Sequence, residues 1–476
     1  MRLVGLDVGT SSTKGLVIDE TGAVLAEAER AYPLASPRPG WAEQDPEDWW
    51  RAAEAILAEL RAHEADGIGL TGQMHGLVVL GADDRPLRPA ILWNDGRSQP
   101  QCDAIEARLG VERLVALSGN RALAGFTAPK LLWLAEHEPD TYNKIRHVLL
   151  PKDYVRFRLC GERATDVADA SGTLLLDVGA RAWSTPLLEA FGVDPAWLPR
   201  LHESVEVSGT TRDGVPIAAG AGDQAAGALG MGVVDAAGPA SIVLGTSGVV
   251  FAARDGYAPD PQGRLHAFCH AVPDAWHVMG VELSAAGALR WLRDATSGPD
   301  GVSYDALTTA AARWAPGVEG LRFAPYLTGE RTPHADADVR AAFVGLGLRH
   351  DRGALVRAVL EGVAHGLADG WDLIDPKPAL GRLSGGGARS ELWTAIVAAT
   401  LDVPLERTAS NAGAAFGAAL LGGVAGGTFA DVRAAVAACV APTARVDPDP
   451  ELVAAYAAQR AGFAALYPLL RELPGG

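Results

Sequence analysis

The 476-residue chain is poor in cysteine: Cys102, Cys160, Cys269 and Cys439 stand far apart and form no Cys-x-x-Cys pair. That spacing indicates neither a disulfide framework nor a thiolate zinc site. Positive charge is also scarce, since 41 Lys and Arg against 58 Asp and Glu leave a formal net charge of −17. Nothing there neutralises phosphates along a duplex, so no nucleic-acid partner is expected. No apolar run reaches membrane-spanning length, and the N-terminus enters a strand without a cleavable apolar leader. No membrane partner is therefore expected, and a reducing cytoplasm is the expected location. The Gly-x-x-x-x-Gly-Lys-Ser/Thr spacing of a Walker-A loop is missing too.

What is present is a doubled loop. Leu3–Lys14 reads L-V-G-L-D-V-G-T-S-S-T-K, and Ser241–Val250 reads S-I-V-L-G-T-S-G-V-V. Each is an apolar run that breaks into Gly, Thr and Ser. Small residues let backbone N–H groups approach an anion, so two such loops suit a polyphosphate gripped from two sides. Only the first copy carries an acid, Asp7. This pattern predicts a nucleotide-dependent phosphotransferase. A global negative charge does not oppose ATP, because local N–H groups and Mg²⁺ act at short range.

The surrounding elements repeat as well. Residues 2–7, 13–19 and 23–32 read as consecutive strands, with Glu20-Thr21-Gly22 as a hairpin turn. Asp45-Pro46-Glu47 starts a helix, with Asp45 as N-cap, Pro46 in the first turn and an apolar stripe at Trp49, Ala52, Ala53, Ile56 and Leu60. Residues 67–71 form a further strand, and Ala35–Gly40 is a Pro-containing loop. The second half restarts with strands at 240–244 and 248–253 and helices near 286–293 and 353–374. Gly385-Gly386-Gly387-Ala388 is expected to open a helix running to about Thr400. The length requires more than one core, and the reading is of two related α/β domains, 1–238 and 239–476, with a cleft between them.

Several segments carry candidate chemistry. Asp7, at a strand end before Gly9-Thr10, can hold Mg²⁺ or cap its own turn. Thr10, Ser11, Ser12 and Lys14 lie in the same loop, where Lys14 points to a phosphate or to solvent. Asp223, in G-A-G-D-Q-A-A-G-A, can accept the proton of a hydroxyl that attacks a phosphoryl group, or serve as a helix N-cap; the two roles are compatible. Gln224 follows it. Met74 and His75, in Q-M-H-G, offer an apolar wall and a hydrogen-bonding ring, or simply a buried histidine. Trp93 and Asn94, in I-L-W-N-D-G-R, suit a sugar, while Asp95 and Arg97 also suit an internal ion pair. Gly245, Thr246 and Ser247 form the second loop. Gly386, Gly387, Ala388 and Arg389 allow close approach to an anionic or flat group, with a plain flexible turn as the alternative. Asn411 opens N-A-G-A-A-F-G-A-A, whose small residues chiefly suit close helix packing.

Taken in order, these segments resemble the FGGY carbohydrate kinases. The match extends over essentially the whole chain. It includes Trp41–Pro46, Phe126-Thr127-Ala128-Pro129-Lys130, Leu150–Tyr154 and Gly329–His334 besides the segments above. The resemblance implies a two-domain actin/hexokinase-like (ribonuclease-H-like) ATPase fold. It implies ATP and Mg²⁺, and transfer of the γ-phosphoryl group to a sugar. By position Asp223 matches the catalytic base and Asp7 the acid near Mg²⁺. Met74, His75, Trp93, Asn94 and Gln224 fall on the sugar side. Thr246, residues 386–389 and Asn411 fall on the nucleotide side. Members acting on glycerol carry Arg-Glu where this chain has Met74-His75, and Trp-Gln-Asp-Arg-Arg where it has Trp93–Arg97. That favours a ketopentose, with the 5-hydroxyl of D-xylulose as expected acceptor. One departure is Gln224, where Asn often stands, and it bears on sugar selectivity. A homodimer is an expectation from the resemblance alone. A sibling kinase acting on ribulose, gluconate or glycerol and an actin-like ATPase switch are the competing readings.

Overall fold

The computed structural model describes residues 1–297, 301–409 and 413–473. The chain divides into two compact units. Unit 1 comprises Met1–Asp235, Ala253–His277 and Ala412–Val440; unit 2 comprises Ala236–Ala252, Val278–Asn411 and Ala441–Gly476. These units differ from a single division after residue 238, because two later segments join the first unit. The physical reason lies in how those segments pack.

Unit 1 is built on a seven-stranded sheet. Its strands are β1 (Leu3–Val8), β2 (Ser12–Ile18), β3 (Val24–Ala31), β4 (Gly67–Gly72), β5 (Val207–Thr210), β6 (Pro216–Ala218) and β7 (Ala221–Gly222), in the order β5-β6-β4-β1-β2-β3 with β7 also paired to β4. β1 runs antiparallel to β2 and parallel to β4. Side chains alternate between the two faces. Val4, Leu6, Val8 and Val17 enter one core with Trp49, Ala53 and Ile56 of helix α1 (Pro46–Glu59). Leu3, Leu16 and Ile18 enter a second core with Ala226, Leu229, Phe416 and Leu420. Asp45 caps α1, its Oδ1 accepting from Glu47 N at 3.0 Å, as its sequence position predicts.

The second core includes a late helix. Helix α7 (Gly413–Ala425) packs on β1, β4 and α3 (Asp223–Gly230). The approach is backbone to backbone. A Cβ on Gly69 would lie 1.7 Å from Ala418 O, one on Gly5 1.9 Å from Ala415 O, and one on Gly417 1.8 Å from Ala226 O. Small residues on both surfaces make this contact possible, which accords with the packing reading of the Gly/Ala-rich segment. The other inserted segment, 253–277, joins unit 1 through its rings: Phe268 and His266 lie 6.3 and 5.9 Å from Phe126.

Unit 2 repeats the strand plan. β8 (Ala240–Leu244) pairs antiparallel with β9 (Gly248–Arg254) and parallel with β11 (Gly381–Ser384). β11 pairs parallel with β12 (Leu405–Thr408), which pairs antiparallel with β13 (Pro442–Val446). β10 (Trp276–Glu282) lies beside β9. Helices α4 (Ala286–Ser297), α5 (Arg352–Trp371) and α6 (Glu391–Leu401) follow the predicted order. One expectation needs correction. Gly386–Arg389 form a 3₁₀ turn, and α6 begins only after Ser390, whose side chain accepts from Trp393 N. Gly385 has φ +89°, which ends the strand rather than opening a helix. Among the described residues no helix is long and apolar enough to cross a membrane.

Candidate functional site

In unit 1 the candidate acids lie at the carboxyl ends of two strands that flank a third. β4 lies between β1 and β7, with Asp7 in register with Thr71 and Thr71 with Ala221. Asp223 follows β7 directly. Two strand spacings separate the flanking strands by about 10 Å. Carboxyl ends of parallel strands are where open α/β sheets bind ligands, because loops diverge there and leave a crevice.

Asp7 shares the β1 face of Leu3 and Gly5 by alternation. Its Oδ1 and the Oγ1 of Thr71 are buried and lack hydrogen-bond partners among the described residues. Desolvation, with a smaller push from Asp223, raises the Asp7 carboxyl from 3.8 to about 7, while Lys14 lowers it. A carboxylate held out of water with an open oxygen is a good donor for a hard cation. The residues present therefore fit Mg²⁺.

Asp223 is the first residue of α3. Gly222 occupies the cap position and the Asp223 side chain caps nothing, so the N-cap alternative for Asp223 does not hold. The residue is partly exposed, and desolvation raises its carboxyl to about 6, against a lowering by Gln224. Gln224 Nε2 donates to Asp223 Oδ1 at 3.4 Å. A base near 6 is ionised at neutral pH and still able to take a proton.

Met74 and His75 follow β4 into the same region. Met74 is buried against Gly222, where a Cβ would come within 2.6 Å of its Cγ. His75 has φ +70°, and its Nδ1 lies 2.7 Å from Gly172 O. A Cβ on Gly172 would lie 2.3 Å from that ring. Trp93 is 38% exposed, and its Nε1 donates to Thr10 Oγ1 at 3.0 Å. Thr10 Oγ1 donates in turn to Gln73 Oε1 at 3.2 Å, and Gln44 Nε2 donates to Thr10 O at 2.7 Å. The first loop and the aromatic candidate for sugar are thus tied together. Asn94 is exposed. Asp95 and Arg97 form the internal ion pair: Arg97 Nη2 lies 2.7 Å from Asp95 Oδ2, and both are buried. The Asp95 carboxylate also accepts from Ala42 N at 2.6 Å, so the pair shapes the loop that presents Trp93.

The rest of the first loop is more open. Ser11 is exposed, and Ser12 Oγ donates to Glu29 Oε1 at 2.6 Å. Lys14 is exposed, pairs in register with Asp7 and lies 3.9 Å from Glu29.

In unit 2 the two nucleotide-side candidates touch. A Cβ on Gly385 would lie 2.5 Å from Leu244 O and 2.9 Å from Gly245 N. Gly245 O and Thr246 O accept from Ala286 N and Ala285 N at 2.8 and 2.9 Å, which fixes the loop on the start of α4. Thr246, Gly386 and Arg389 are exposed and Ser247 is partly so; Gly387 and Ala388 are buried under the loop. Asn411 lies outside the described residues.

Models of the FGGY family of carbohydrate kinases match both halves, the N-terminal domain over residues 2–230 and the C-terminal domain over 240–426. The chain belongs to that family. It is 41% identical to the xylulose kinase of Escherichia coli (strain K12), over 99% of each chain. Among solved structures, a xyloylose kinase from Brucella ovis superposes with TM-score 0.92 at 40% identity over 100% of each chain. A gluconate kinase from Lactobacillus acidophilus superposes with TM-score 0.94 at 25% identity, over 99% of this chain and 98% of that one. The fold is thus the actin/hexokinase-like one of sugar kinases. Backbone likeness does not separate one sugar from another in this family; that choice belongs to side chains.

Sequence reasoning did not assign roles to Gln44, Thr127 or Lys130. The signal for Lys130 was a lone charge within the otherwise uncharged stretch T-A-P-K-L-L-W-L.

Proposed function

We propose that this carbohydrate kinase transfers the γ-phosphoryl group of ATP to the 5-hydroxyl of D-xylulose. The observation that carries the reading is Asp223, a carboxyl raised to about 6 by desolvation, at the end of a strand that also packs Met74. The near-full-length identity of 41% to a xylulose kinase supports the choice of sugar.

In this mechanism Met74, His75, Trp93 and Asn94 orient the sugar. Gln224 holds the Asp223 carboxylate by its amide. Asp223 accepts the hydroxyl proton as the oxygen bonds to the γ-phosphorus and the bond from that phosphorus to the β,γ-bridging oxygen breaks, with ADP leaving. The transition state of phosphoryl transfer is loose, so placing the hydroxyl matters more than base strength. Asp7 is the residue that would hold Mg²⁺, which when bound supplies positive charge against the phosphate oxygens. On this reading the backbone N–H groups of residues 10–12 and 245–247 and the Gly386–Arg389 turn take up the triphosphate, with Lys14 as a further cation.

An ADP-release assay across D-xylulose, D-ribulose, gluconate and glycerol tests the reading. D-xylulose is expected to give the highest kcat/KM. The gluconate kinase superposition makes gluconate the second candidate, and a higher kcat/KM for gluconate would replace the proposed sugar. ATP turnover indifferent to every sugar would end the reading altogether.

A further inference from the structure

Lys130 is fully buried, yet among the described residues no carboxylate lies within ion-pair distance of it. Its Nζ instead donates to two backbone carbonyls, His75 O at 3.0 Å and Gly125 O at 2.7 Å. Thr127 Oγ1, from the same helical turn, donates to the same His75 O at 3.1 Å. Both donors belong to the first turn of α2 (Thr127–His137), where residues three apart share a face.

The carbonyl they grip belongs to a strained residue. A histidine at φ +70° sits in the left-handed region that a Cβ disfavours, and such a conformation persists only where its surroundings over-determine it. Phe126, one residue before the helix, packs at 4.6 Å from the His75 ring. The other carbonyl belongs to Gly125, where a Cβ would lie 2.4 Å from Trp93 O. One lysine therefore joins the segment that backs Trp93 to the segment that carries His75. Burying an ammonium is costly. Desolvation lowers this one to about 7, with Asp95 acting upward and Arg97 downward. A lysine buried at that cost, with carbonyls for partners, has a geometric task.

We propose that Lys130, with Thr127, is a positioning residue that clamps the His75 backbone in its left-handed turn and so sets the sugar subsite. This rests on the reading of Met74, His75 and Trp93 as sugar contacts. Without the clamp the 75 turn relaxes towards an ordinary conformation, and the ring leaves its place against Gly172 and Phe126.

The test is steady-state kinetics of Lys130→Met and Thr127→Val beside the unaltered enzyme, with D-xylulose and ATP varied separately. Lys130→Met is expected to raise the sugar KM at least tenfold and leave the ATP KM within twofold. Thr127→Val, which removes one of two donors to the same oxygen, is expected to raise the sugar KM several-fold with the ATP KM again unchanged. Equal changes in both KM values, or a sugar KM within twofold of normal in a folded variant, would overturn the clamp. If Lys130→Met does not fold, Thr127→Val decides by the same criteria. If the unaltered enzyme prefers another polyol, the sugar reading fails while the clamp is judged with that polyol. If it phosphorylates none, both fall.

Discussion

The two units share a hairpin with a parallel partner strand beside it, and within that shared part they differ at the residue before the closing pair. In unit 1 the hairpin closes at Val8 and Thr13, and the residue before the closing pair is Asp7, in register with Thr71. In unit 2 the hairpin closes at Leu244 and Gly248, and the corresponding residue is Val243, in register with Ser384. The segments after the parallel partner strands differ too: Gln73-Met74-His75 in one unit, Gly385-Gly386-Gly387 in the other. A shared frame thus presents acids, an imidazole and a thioether in one unit and bare backbone in the other. On the function proposed above, the division of labour is one of side chains: unit 1 would move the proton and hold the sugar, and unit 2 would let the large anion approach.

Substitutions can sharpen or break that contrast. The largest effect is expected from Asp223→Ala, which should lower kcat by ~10³-fold with sugar and ATP binding largely intact, since loss of a positioned base costs 10²–10⁴. Near-normal turnover in rapid-quench measurements would remove Asp223 from its role. Next, Asp7→Asn should lower kcat by ~10²-fold and raise the Mg²⁺ concentration needed for half activity, because an amide is a poor ligand for a hard cation. An unchanged Mg²⁺ titration would place the cation elsewhere.

The unit 2 counterpart should act on the nucleotide alone. A Cβ at Gly386 meets nothing within 4 Å, so Gly386→Val should leave the melting temperature unchanged. It should raise the ATP KM by ~10-fold by blocking close backbone approach, with the sugar KM unchanged. A changed sugar KM would blur the two units' roles.

The smallest effect is on stability. The Asp223 carboxyl rises from 3.8 to about 6 on folding, so the folded state holds that proton more tightly. Its favourable contribution is fully present below about pH 4 and is lost as pH rises through about 6. Asp223→Asn should therefore raise Tm at pH 7.5 by ~1–3 °C and have no such effect at pH 4. The same titration predicts a kcat/KM for sugar that rises with pH through about 6. A flat acid limb would count against the base.

Much of the site was legible because its chemistry is local. Asp45 as a cap, the strand end that bears Asp7, the helix start that bears Asp223, and the Gly-Thr-Ser turns follow from neighbours in sequence. The Asp95–Arg97 pair, two residues apart, was foreseen as one of two readings. Less legible was anything decided by distant contact. Residues 411–419 read as a tightly packed helix, but no periodicity says that the helix found at Gly413–Ala425 packs on Gly5, Gly67 and Gly69. Ser390 rather than Gly385 starts α6 because Gly385 is drawn onto Leu244. Lys130 looked like an isolated charge because the oxygens that hold it belong to backbone, which a sequence of side chains does not display.

By itself, then, the sequence determined the strand-turn grammar of each unit, with Asp7 at a strand end and Asp223 at a helix start. Local conformation and a period of two are written into adjacent residues. Tertiary structure alone decided which late helix completes the first unit, why Asp7 keeps an open oxygen, and what holds His75 at φ +70°. Those outcomes depend on desolvation and on backbone contacts between residues far apart in the chain, and both exist only once the chain has packed.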